Sequence, residues 1–466
     1  MTPPDWLAQG VSLLRPTAKA AGPRSTQERL DATLRQDEEA MSPRMLRQSL
    51  RDLQAIVDPL VSEVEGGRRA QAMMDWYASA SPPHRRDLWL LMSERFVADP
   101  QRVKKAQAQF AAAVGTPDEA AAEVLYRRAT VSPRRRLLQR FSANPEGVRF
   151  LVDMRAELQP QLRSDKRLFA LDVEMEYMFS TWFDVGFLDL RRITWDSPAS
   201  LVEKLIKYEA VHDIRSWADL KNRLDSDRRC YGFFHPRMPN VPLIFVEVAL
   251  LDKMAGSMAP LLDEAAAAAD LAKANTAIFY SISNTQTGLK GVSFGDSLIK
   301  HVVETLTQEF PKLKQFATLS PIPGLRSWLS KNGDAALAEL DDKQKAALEK
   351  VAGGVSAAQL LAALDDPGSL PEKSVVRQAA MFCAARYLGR ETAKGRPLDA
   401  VARFHLGNGA RVERLNWAAD LSSKVLKQSM GLMVNYLYDL KRLDKHRASL
   451  AQGKIPIAAA IKDLYL

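Results

Sequence analysis

Residues 276–324 read TAIFYSISNTQTGLKGVSFGDSLIKHVVETLTQEFPKLKQFATLSPIPG, and they are the most informative segment for the architecture of the second half of the chain. Its pattern predicts a strand (Thr276–Ser283), a loop (Asn284–Gly295), an amphipathic helix (Asp296–Glu309) and a second strand (Gln315–Ser320). The N–H groups of such a loop and of the helix N-terminus direct partial positive charge to one point. We therefore predict that a phosphorylated ligand binds at this loop and that chemistry takes place beside the second strand.

The loop sequence T-Q-T-G-L-K-G is a weak signal when taken alone. It fits neither the G-x-G-x-x-G pattern nor a Walker A loop with its Lys-Ser/Thr ending. Gly288, Gly291 and Gly295 are predicted to allow positive φ and a close approach of the backbone to a ligand. On spacing alone, an ordinary turn between a strand and a helix is as well supported as a phosphate site.

The composition predicts a globular protein of two or three domains. The chain has 466 residues, of which 46% are hydrophobic, and it contains no apolar run long enough to span a membrane. Without such a run we predict no membrane partner. Cys230 and Cys383 are predicted to be buried free thiols in a reducing cytoplasm. The histidines show no ligand spacing, so we predict no metal site.

The net charge of +9 indicates an anionic partner. Arginine clusters at residues 68–69, 127–128 and 134–136 lack the interleaved aromatic residues that single-stranded nucleic acids require. We therefore expect no nucleic-acid partner, and we expect the positive charge either to be spread over a helical surface or to attract an anionic substrate.

The pattern of apolar residues changes once along the chain. Residues 1–24 are predicted to be a disordered start, and residues 25–165 are predicted to form a helical bundle with apolar residues at three- and four-residue spacing. Residues 166–466 combine strands and helices, so the fold class is α+β. Within this part we predict strands in residues 186–195, 228–236 and 242–251, an Ala-rich helix over Ala259–Lys273, a helical insertion over 325–400, a strand–turn–strand over 403–417, and a helical final part.

Four blocks, in this order, resemble the malonyl-CoA decarboxylase family. The blocks are CYGFFHPRMPNVPLIFVEVALL (230–251), FYSISNTQTGLKGVSFGDSLIK (279–300) with TLSPIPG (318–324), RFHLGNGARVERLNWAADLS (403–422) and SMGLMVNYLYDL (429–440). The resemblance covers roughly residues 165–445 and implies a GNAT-type mixed-sheet catalytic domain. It also implies an N-terminal helical region for subunit contacts, with a dimer or tetramer expected.

The resemblance implies conversion of malonyl-CoA to acetyl-CoA and CO2, with no metal and no organic cofactor, because coenzyme A is part of the substrate. Its pyrophosphate would lie on the strand–loop–helix turn and its pantetheine between two splayed strands. The usual loop of that fold, Q/R-x-x-G-x-G/A, is matched imperfectly from Gln286, because the glycines fall at Gly288 and Gly291.

The resemblance implies that Ser320, in TLSPIPG, and His405, in RFHLGNGA, are the catalytic pair. His405 would act as general acid/base toward the enolate carbon, and Ser320 would hydrogen-bond the substrate carboxylate or the thioester oxygen, although the two roles could be reversed. Tyr438 matches a family tyrosine near that histidine. From the residues alone, Ser320 reads as a turn serine before Pro321, His405 as a strand histidine bonded to backbone, and Tyr438 as a core aromatic.

Further residues are candidates for substrate binding. Ser281 and Ser283 are expected on the strand that pairs with pantetheine, with an acyl-serine at Ser281 as the less favoured alternative. Gln286 and Lys290 belong to the phosphate loop together with its glycines, and Asn408 is expected to orient the segment that carries His405. Ser293 stands where animal relatives can have glutamate.

Two residues are predicted to be structural. His235 reads as a turn residue before Pro236, and Glu247 reads as a buried carboxylate that needs a cationic partner. Two alternatives to the decarboxylase remain at this point. A CoA-dependent N-acyltransferase of the same fold would need no Ser320, and a non-catalytic acyl-CoA-binding regulatory protein would need neither Ser320 nor His405.

Overall fold

The computed structural model describes residues 40–292 and 298–465, and its contacts divide the chain into two compact units, Met1–Met178 and Phe179–Leu466. The predicted disordered start over residues 1–24 lies outside the described residues. The described part of the first unit is helical, as the apolar spacing predicts. Its helices are α1 (Pro43–Val57), α2 (Glu63–Ser79), α3 (Pro82–Arg95), α4 (Pro100–Ala113), α5 (Glu119–Thr130), α6 (Pro133–Ser142) and α7 (Gly147–Leu158), and α8 (Phe169–Trp182) contains the division.

Four described helices of the first unit, α1, α3, α4 and α6, begin with a proline at the first helical position. Proline fits there because its missing N–H is one that the helix would leave unpaired. At α4, Asp99 also accepts a hydrogen bond from the N–H of Gln101. Inside the unit, the guanidinium of Arg155 is buried and pairs with Asp172 at 2.8 Å.

The second unit is a mixed α+β structure, as predicted. Its strands are β1 (Asp189–Ile193), β2 (Arg228–His235), β3 (Met238–Leu251), β4 (Thr276–Asn284), β5 (Gln315–Thr318), β6 (Ser320–Pro321), β7 (Thr392–Ala393), β8 (Arg396–Pro397), β9 (Arg411–Asn416) and β10 (Met433–Leu437). Its helices are α9 (Ala199–Tyr208), α10 (Trp217–Arg223), α11 (Ala259–Leu262), α12 (Leu298–Glu309), α13 (Leu325–Leu337), α14 (Asp342–Ala352), α15 (Ala357–Ala363), α16 (Val375–Arg390), α17 (Ala400–Gly407), α18 (Ser423–Ser429), α19 (Leu443–Ala451) and α20 (Ala459–Lys462).

The main sheet has the order β1–β2–β3–β4–β5–β10–β6, with β9 also pairing β10. Strands β5 and β6 lie on the same edge of β10 in one continuous register, in which Leu437 faces Ala317 and Val434 faces Ser320. Strand β10 therefore lies inside the sheet, between β5/β6 on one side and β9 on the other.

Strands β4 and β5 run parallel and then separate. Their ladder extends from Thr276–Gln315 to Phe279–Thr318, and its last bond joins the N–H of Leu319 to the carbonyl of Phe279 at 3.0 Å. Beyond that point β4 continues toward Asn284 along β3, whereas β6 continues along β10 and no longer pairs with β4. An irregularity in the β3–β4 ladder leaves Tyr280 without a facing residue, and such bulges bend a strand. The result is the pair of splayed strands that the family resemblance implies.

Two predictions of secondary structure after residue 400 are wrong. Residues 403–417 do not form a strand–turn–strand, because the first half is helix α17 and only Arg411–Asn416 is a strand. The helix forms because Asp399 caps it, accepting hydrogen bonds from the N–H groups of Val401 and Ala402. Gly409, at φ 87°, turns the chain from the helix into β9. The final part is also not wholly helical, because it contains β10.

The Ala-rich segment Ala259–Lys273 is helical only over Ala259–Leu262. Asp263 accepts a hydrogen bond from the N–H of Ala265, and Asp270 accepts one from Ala272. These local turns compete with helix formation, and in this segment they prevail over the propensity of alanine.

The residues predicted to be structural lie where the sequence places them. Glu247 is buried, and its carboxylate lies 3.3 Å from Arg223 Nη1, so the missing cationic partner is Arg223. Burial raises the pKa of Glu247 to about 8. His235 ends β2 and its Nδ1 accepts from the N–H of Arg237. Cys230 and Cys383 are buried free thiols. Within residues 40–292 and 298–465, no helix has the length and apolar content to cross a membrane.

Candidate active site

A cavity of about 910 Å³ opens where β4 and β5 separate. One wall consists of the outer part of β4 and the loop that follows it, from Ser281 to Val292. The opposite wall consists of α17 and the short β7–β8 hairpin, and Ser320 and Pro321 lie at the inner end. Among the predicted site residues that the structure describes, seven line this cavity: Ser281, Gln286, Lys290, Gly291, Ser320, His405 and Asn408.

Ser320 is held at the point where the strands separate. Its register opposite Val434 fixes its backbone, and its hydroxyl donates to Thr318 Oγ1 at 2.9 Å. Thr318 is itself fixed, because its Oγ1 accepts from the N–H of Tyr436 and its carbonyl accepts from Asn435 Nδ2. Ser320 is 6% exposed, so its hydroxyl can be reached only through the cavity.

His405 reaches Ser320 from the opposite wall. The two residues are 85 positions apart in the chain, and His405 Nε2 lies 3.3 Å from Ser320 Oγ. The imidazole is 3% exposed and stacks on the ring of Tyr436, with ring centroids 4.7 Å apart. Burial lowers the pKa of His405 to about 3, so the imidazole is neutral near pH 7.

Tyr438 completes a chain of hydrogen bonds behind the histidine. Its hydroxyl lies 2.8 Å from His405 Nδ1, and burial raises the pKa of Tyr438, so the phenol keeps its proton. Because Ser320 donates to Thr318, we assign the proton of the neutral imidazole to Nε2, which donates to Ser320, and Nδ1 then accepts from Tyr438. Tyr438 is not among the residues that line the cavity, and it acts on His405 from behind.

Asp399 was not identified from the sequence, although it joins the two sides of the site. Its Oδ1 caps α17, which carries His405, and its Oδ2 accepts from the N–H of Gly324 at 3.3 Å and from the hydroxyl of Tyr387 at 3.4 Å. Gly324 belongs to the turn that follows Ser320. One carboxylate therefore links the helix of His405 to the turn after Ser320. Burial raises the pKa of Asp399.

Ser281 and Ser283 face a second carboxylate that the sequence did not indicate. Ser281 Oγ donates to Glu209 at 2.9 Å and Ser283 Oγ donates to it at 3.3 Å. The same carboxylate accepts from the N–H groups of Val211 and His212. Ser281 lines the cavity, whereas Ser283 does not. Glu209 therefore fixes the part of β4 that forms the cavity wall.

The predicted phosphate loop forms part of the cavity wall. A single 3₁₀ turn covers Thr287–Leu289, and Gly291 has φ 86°, as predicted. Gly288 does not have a positive φ, so that prediction is wrong for this residue. It is buried within the turn and is not among the residues that line the cavity. Lys290 is exposed at the cavity wall. Gly295 and Ser293 lie outside the described residues.

Gln286 and Asn408 have different surroundings within the cavity. Gln286 is buried and its Nε2 donates to Thr285 Oγ1 at 2.8 Å. Asn408 follows α17, and its Nδ2 donates to the carbonyl of Phe404 at 2.8 Å. Its Oδ1 has no hydrogen-bond partner among the described residues, so this acceptor is available to a donor within the cavity. The described residues contain no group of His, Cys, Asp and Glu side chains suited to a metal ion.

The fold and the cavity together define an α+β protein with a hydrogen-bonded serine, histidine and tyrosine where two parallel strands separate. Comparison with known families agrees with the blocks found in the sequence. Residues 186–466 match the family model described as "Malonyl-CoA decarboxylase C-terminal domain", and residues 96–183 match the "Malonyl-CoA decarboxylase N-terminal domain". The chain belongs to the malonyl-CoA decarboxylase family.

Relatives and solved structures support this membership. The chain is 36% identical over 327 residues to "Malonyl-CoA decarboxylase, mitochondrial" of Anser anser anser, covering 67% of this chain and 65% of that protein. For the protein of the same name from Mus musculus, identity is 37% over 351 residues, covering 72% and 71%. The crystal structure of malonyl-CoA decarboxylase from Cupriavidus metallidurans is 43% identical, with a TM-score of 0.73 and coverage of 90% and 100%. That from Agrobacterium vitis is 38% identical, with a TM-score of 0.79 and coverage of 90% and 99%.

Proposed function

We propose that this chain converts malonyl-CoA to acetyl-CoA and CO2 in the cavity between the splayed strands. The observation that carries the proposal is the buried chain Tyr438–His405–Ser320, which opens into a cavity of about 910 Å³ in a member of this family. A cavity of this size accommodates a pantetheine thioester.

The reaction sets two demands on the protein. The bond between the carboxylate carbon and the α-carbon breaks, CO2 leaves, and the electron pair remains on the thioester as an enolate. A donor must therefore stabilise the charge on the thioester oxygen, and an acid must then deliver one proton to the α-carbon. A hydroxyl and an imidazole on the two sides of the inner cavity are suited to these two tasks.

In our proposal Ser320 is the donor. Its hydroxyl donates to Thr318 in the free protein, and it rotates to donate to the thioester oxygen when substrate binds. Thr318 and its bonds from Tyr436 and Asn435 keep Ser320 in position. Because the bond becomes stronger as negative charge develops on the oxygen, it stabilises the transition state more than the bound substrate.

His405 is the acid in this proposal. The free protein holds it neutral, but the malonyl carboxylate brings a negative charge beside the imidazole and raises its pKa. Binding therefore takes up one proton. Nδ1–H then donates to the oxygen of Tyr438, and the Nε2 proton passes to the α-carbon once CO2 has left. This step leaves the imidazole neutral with its proton on Nδ1, and proton exchange then restores the Nε2–H tautomer of the free protein. The reverse assignment of Ser320 and His405 is the alternative, and measurement of proton uptake on binding distinguishes the two.

The other predicted residues bind the substrate in this scheme. The pantetheine lies along the part of β4 that β5 leaves unpaired, where Ser281 and Ser283 are anchored by Glu209. The pyrophosphate lies at the loop that contains Gln286, Gly288, Lys290, Gly291 and Gly295. Asn408 Oδ1 accepts from an amide or amine donor of the coenzyme A chain.

Ser320→Ala and His405→Asn test the assignment. Each should lower kcat by orders of magnitude while the Kd for CoA stays within about twofold, because neither residue contacts the nucleotide end. Ser369→Ala, an exposed serine in the helical insertion, is the matched control and should behave as wild type. An N-acyltransferase would keep its activity in Ser320→Ala, and a regulatory acyl-CoA-binding protein would release no CO2 even as wild type.

We also propose that the helical first unit mediates assembly into a dimer or tetramer. Its described surface exposes Leu60 at 95% and Val64 at 85%, which a subunit interface would cover. Sedimentation of the full chain, compared with a Leu60→Lys/Val64→Lys variant, tests this: a monomeric variant supports the proposal, and an unchanged oligomer contradicts it.

The cytoplasm is the location that we propose, because two buried free thiols far apart in the chain suit a reducing compartment. The vertebrate relatives above carry the word mitochondrial in their names. Fractionation of cells that express the tagged protein decides between these compartments. We further propose that nucleic acids and membranes are not partners, which flotation and gel-shift assays would check.

A further inference from the structure

The cavity carries an uneven distribution of charge between its walls. The described residues that line it include three cations, Lys290, Arg396 and Arg403, and no carboxylate. Lys290 belongs to the wall that holds the predicted pyrophosphate loop. Arg396 and Arg403 lie on the opposite wall, and neither was identified from the sequence. The proposed chemistry at Ser320 and His405 makes no use of these two arginines.

Arg396 is presented by the β7–β8 hairpin. The hairpin turns at Lys394 and Gly395, which have φ values of 52° and 73°, and Arg396 pairs with Ala393 across it. Two central residues with positive φ give a tight turn that matches the twist of the strands, so the hairpin is a compact support. The Arg396 side chain is exposed at the cavity wall and pairs with no carboxylate among the described residues.

Arg403 is held in place without being neutralised. Its Nε donates to the carbonyl of Pro397 at 3.1 Å, and its Nη2 donates to the carbonyl of Leu398 at 3.0 Å. Both acceptors are uncharged, and no carboxylate of the described residues pairs with this guanidinium. The backbone that follows the hairpin therefore orients Arg403, while its charge and its Nη1 donors remain for a ligand. A guanidinium fixed in this way is suited to phosphate recognition.

We propose that Arg396 and Arg403 form a subsite for the 3′-phosphate of coenzyme A. This inference rests on the proposed function and specifies a binding site on the wall opposite the loop. Coenzyme A carries a pyrophosphate and a separate phosphate on the ribose. The pyrophosphate is assigned to the loop after β4, and the malonyl carboxylate to His405. The ribose phosphate is the remaining anion, and two arginines on the opposite wall match its charge.

The test compares substrates with and without this phosphate. Arg396→Gln and Arg403→Gln are assayed with malonyl-CoA and with malonyl-3′-dephospho-CoA. Each variant should raise KM for malonyl-CoA about tenfold, the lower end for a charge-assisted hydrogen bond, with kcat unchanged. With the dephospho substrate, each variant should match wild type within about twofold, because the group that the arginine binds is absent.

Lys394→Gln is the matched control. It removes one positive charge from the same hairpin at a residue that does not line the cavity, so it should leave KM unchanged for both substrates. An equal rise in KM for both substrates would overturn the proposal and assign the arginines to the pyrophosphate or to the malonyl carboxylate. A KM rise in Lys394→Gln as large as in Arg396→Gln would also overturn it, because general attraction would then explain the effect.

Failure of this proposal can be distinguished from failure of the proposed function. The binding of CoA and of 3′-dephospho-CoA is measured by calorimetry on all variants, which requires no turnover. One outcome is that the wild type releases no CO2 from malonyl-CoA and yet binds CoA more tightly than dephospho-CoA. If the arginine variants lose that preference for CoA, the subsite is supported even though the proposed reaction is not. Equal affinity of the wild type for the two nucleotides would overturn the subsite, whatever the activity.

Discussion

Replacing His405 by asparagine should make the second unit more resistant to acid. In the folded protein, burial lowers the pKa of His405 to about 3, whereas an unfolded histidine has a pKa of about 6.5. As the pH falls below about 6.5, the unfolded chain takes up a proton that the folded chain refuses, so the folded state loses stability. Asparagine has no proton to take up, and this loss is absent from His405→Asn.

The size of the effect follows from the two pKa values. Between pH 7.5 and pH 5, a histidine with pKa values of about 3 folded and about 6.5 unfolded loses about 2 kcal/mol of stability. The wild type should therefore lose about 2 kcal/mol more than His405→Asn over this interval. The comparison concerns the change with pH, so any constant cost of removing the bonds to Ser320 and Tyr438 cancels.

Urea unfolding at the two pH values measures this difference. Loss of structure in residues 400–437 is followed by amide hydrogen exchange and mass spectrometry, so that the transition of the second unit is read separately. His301→Asn, which removes an exposed histidine on α12, is the control and should show the wild-type dependence on pH. If wild type and His405→Asn lose the same stability between pH 7.5 and pH 5, burial does not hold His405 neutral in the folded protein.

Three more predictions concern the residues around the pair. Tyr438→Phe should lower kcat about tenfold or more with KM unchanged, because it removes the hydroxyl that holds His405 Nδ1. Steady-state kinetics measures this, and an unchanged kcat contradicts the positioning of His405 by Tyr438. Asp399→Ala should lower the free energy of unfolding by about 2–4 kcal/mol, because it removes the helix cap and leaves two donors without an acceptor. Asp399→Asn keeps a side-chain oxygen and should lower it less; urea titration measures both, and equal losses contradict the prediction. Binding of a malonyl-CoA analogue should take up one proton in wild type and none in His405→Asn, seen by calorimetry in buffers of different ionisation enthalpy; equal uptake contradicts proton delivery by His405.

The sequence was sufficient to select candidate site residues inside the blocks that resemble the family. Ser320, His405 and Tyr438 were found through the family resemblance, and the structure brings them together by hydrogen bonds. What the blocks did not reveal is how the elements carrying them are joined. Asp399 accepts a hydrogen bond from Gly324, 75 positions away, and Glu209 accepts one from Ser281, 72 positions away. A pattern within one segment carries no information on partners so distant in the chain.

The error at α17 had a local cause. The Gly407-Asn408-Gly409 run is strong turn chemistry, and it favoured a strand–turn–strand over a helix. Asp399, which caps the helix, lies just outside the block that drew attention. An aspartate followed by Ala-Val-Ala is the signal that could have indicated the helix start. Arg396 lies outside the blocks, and Arg403, although it begins the block at residues 403–422, shows no pattern that distinguishes it from other surface arginines.

The position of β10 inside the sheet has a consequence for biosynthesis. The ribosome makes β1 to β9 first, and β10, which joins β5/β6 to β9, is the last of the described strands to emerge. Until then the nascent chain presents the free edges of β5 and β9, which other chains can pair with. Tyr438 arrives with that strand, so no shorter nascent chain can hold His405 in its working arrangement. Polypeptides released before residue 433 should therefore be inactive and prone to aggregation, and should depend on chaperones for as long as they persist.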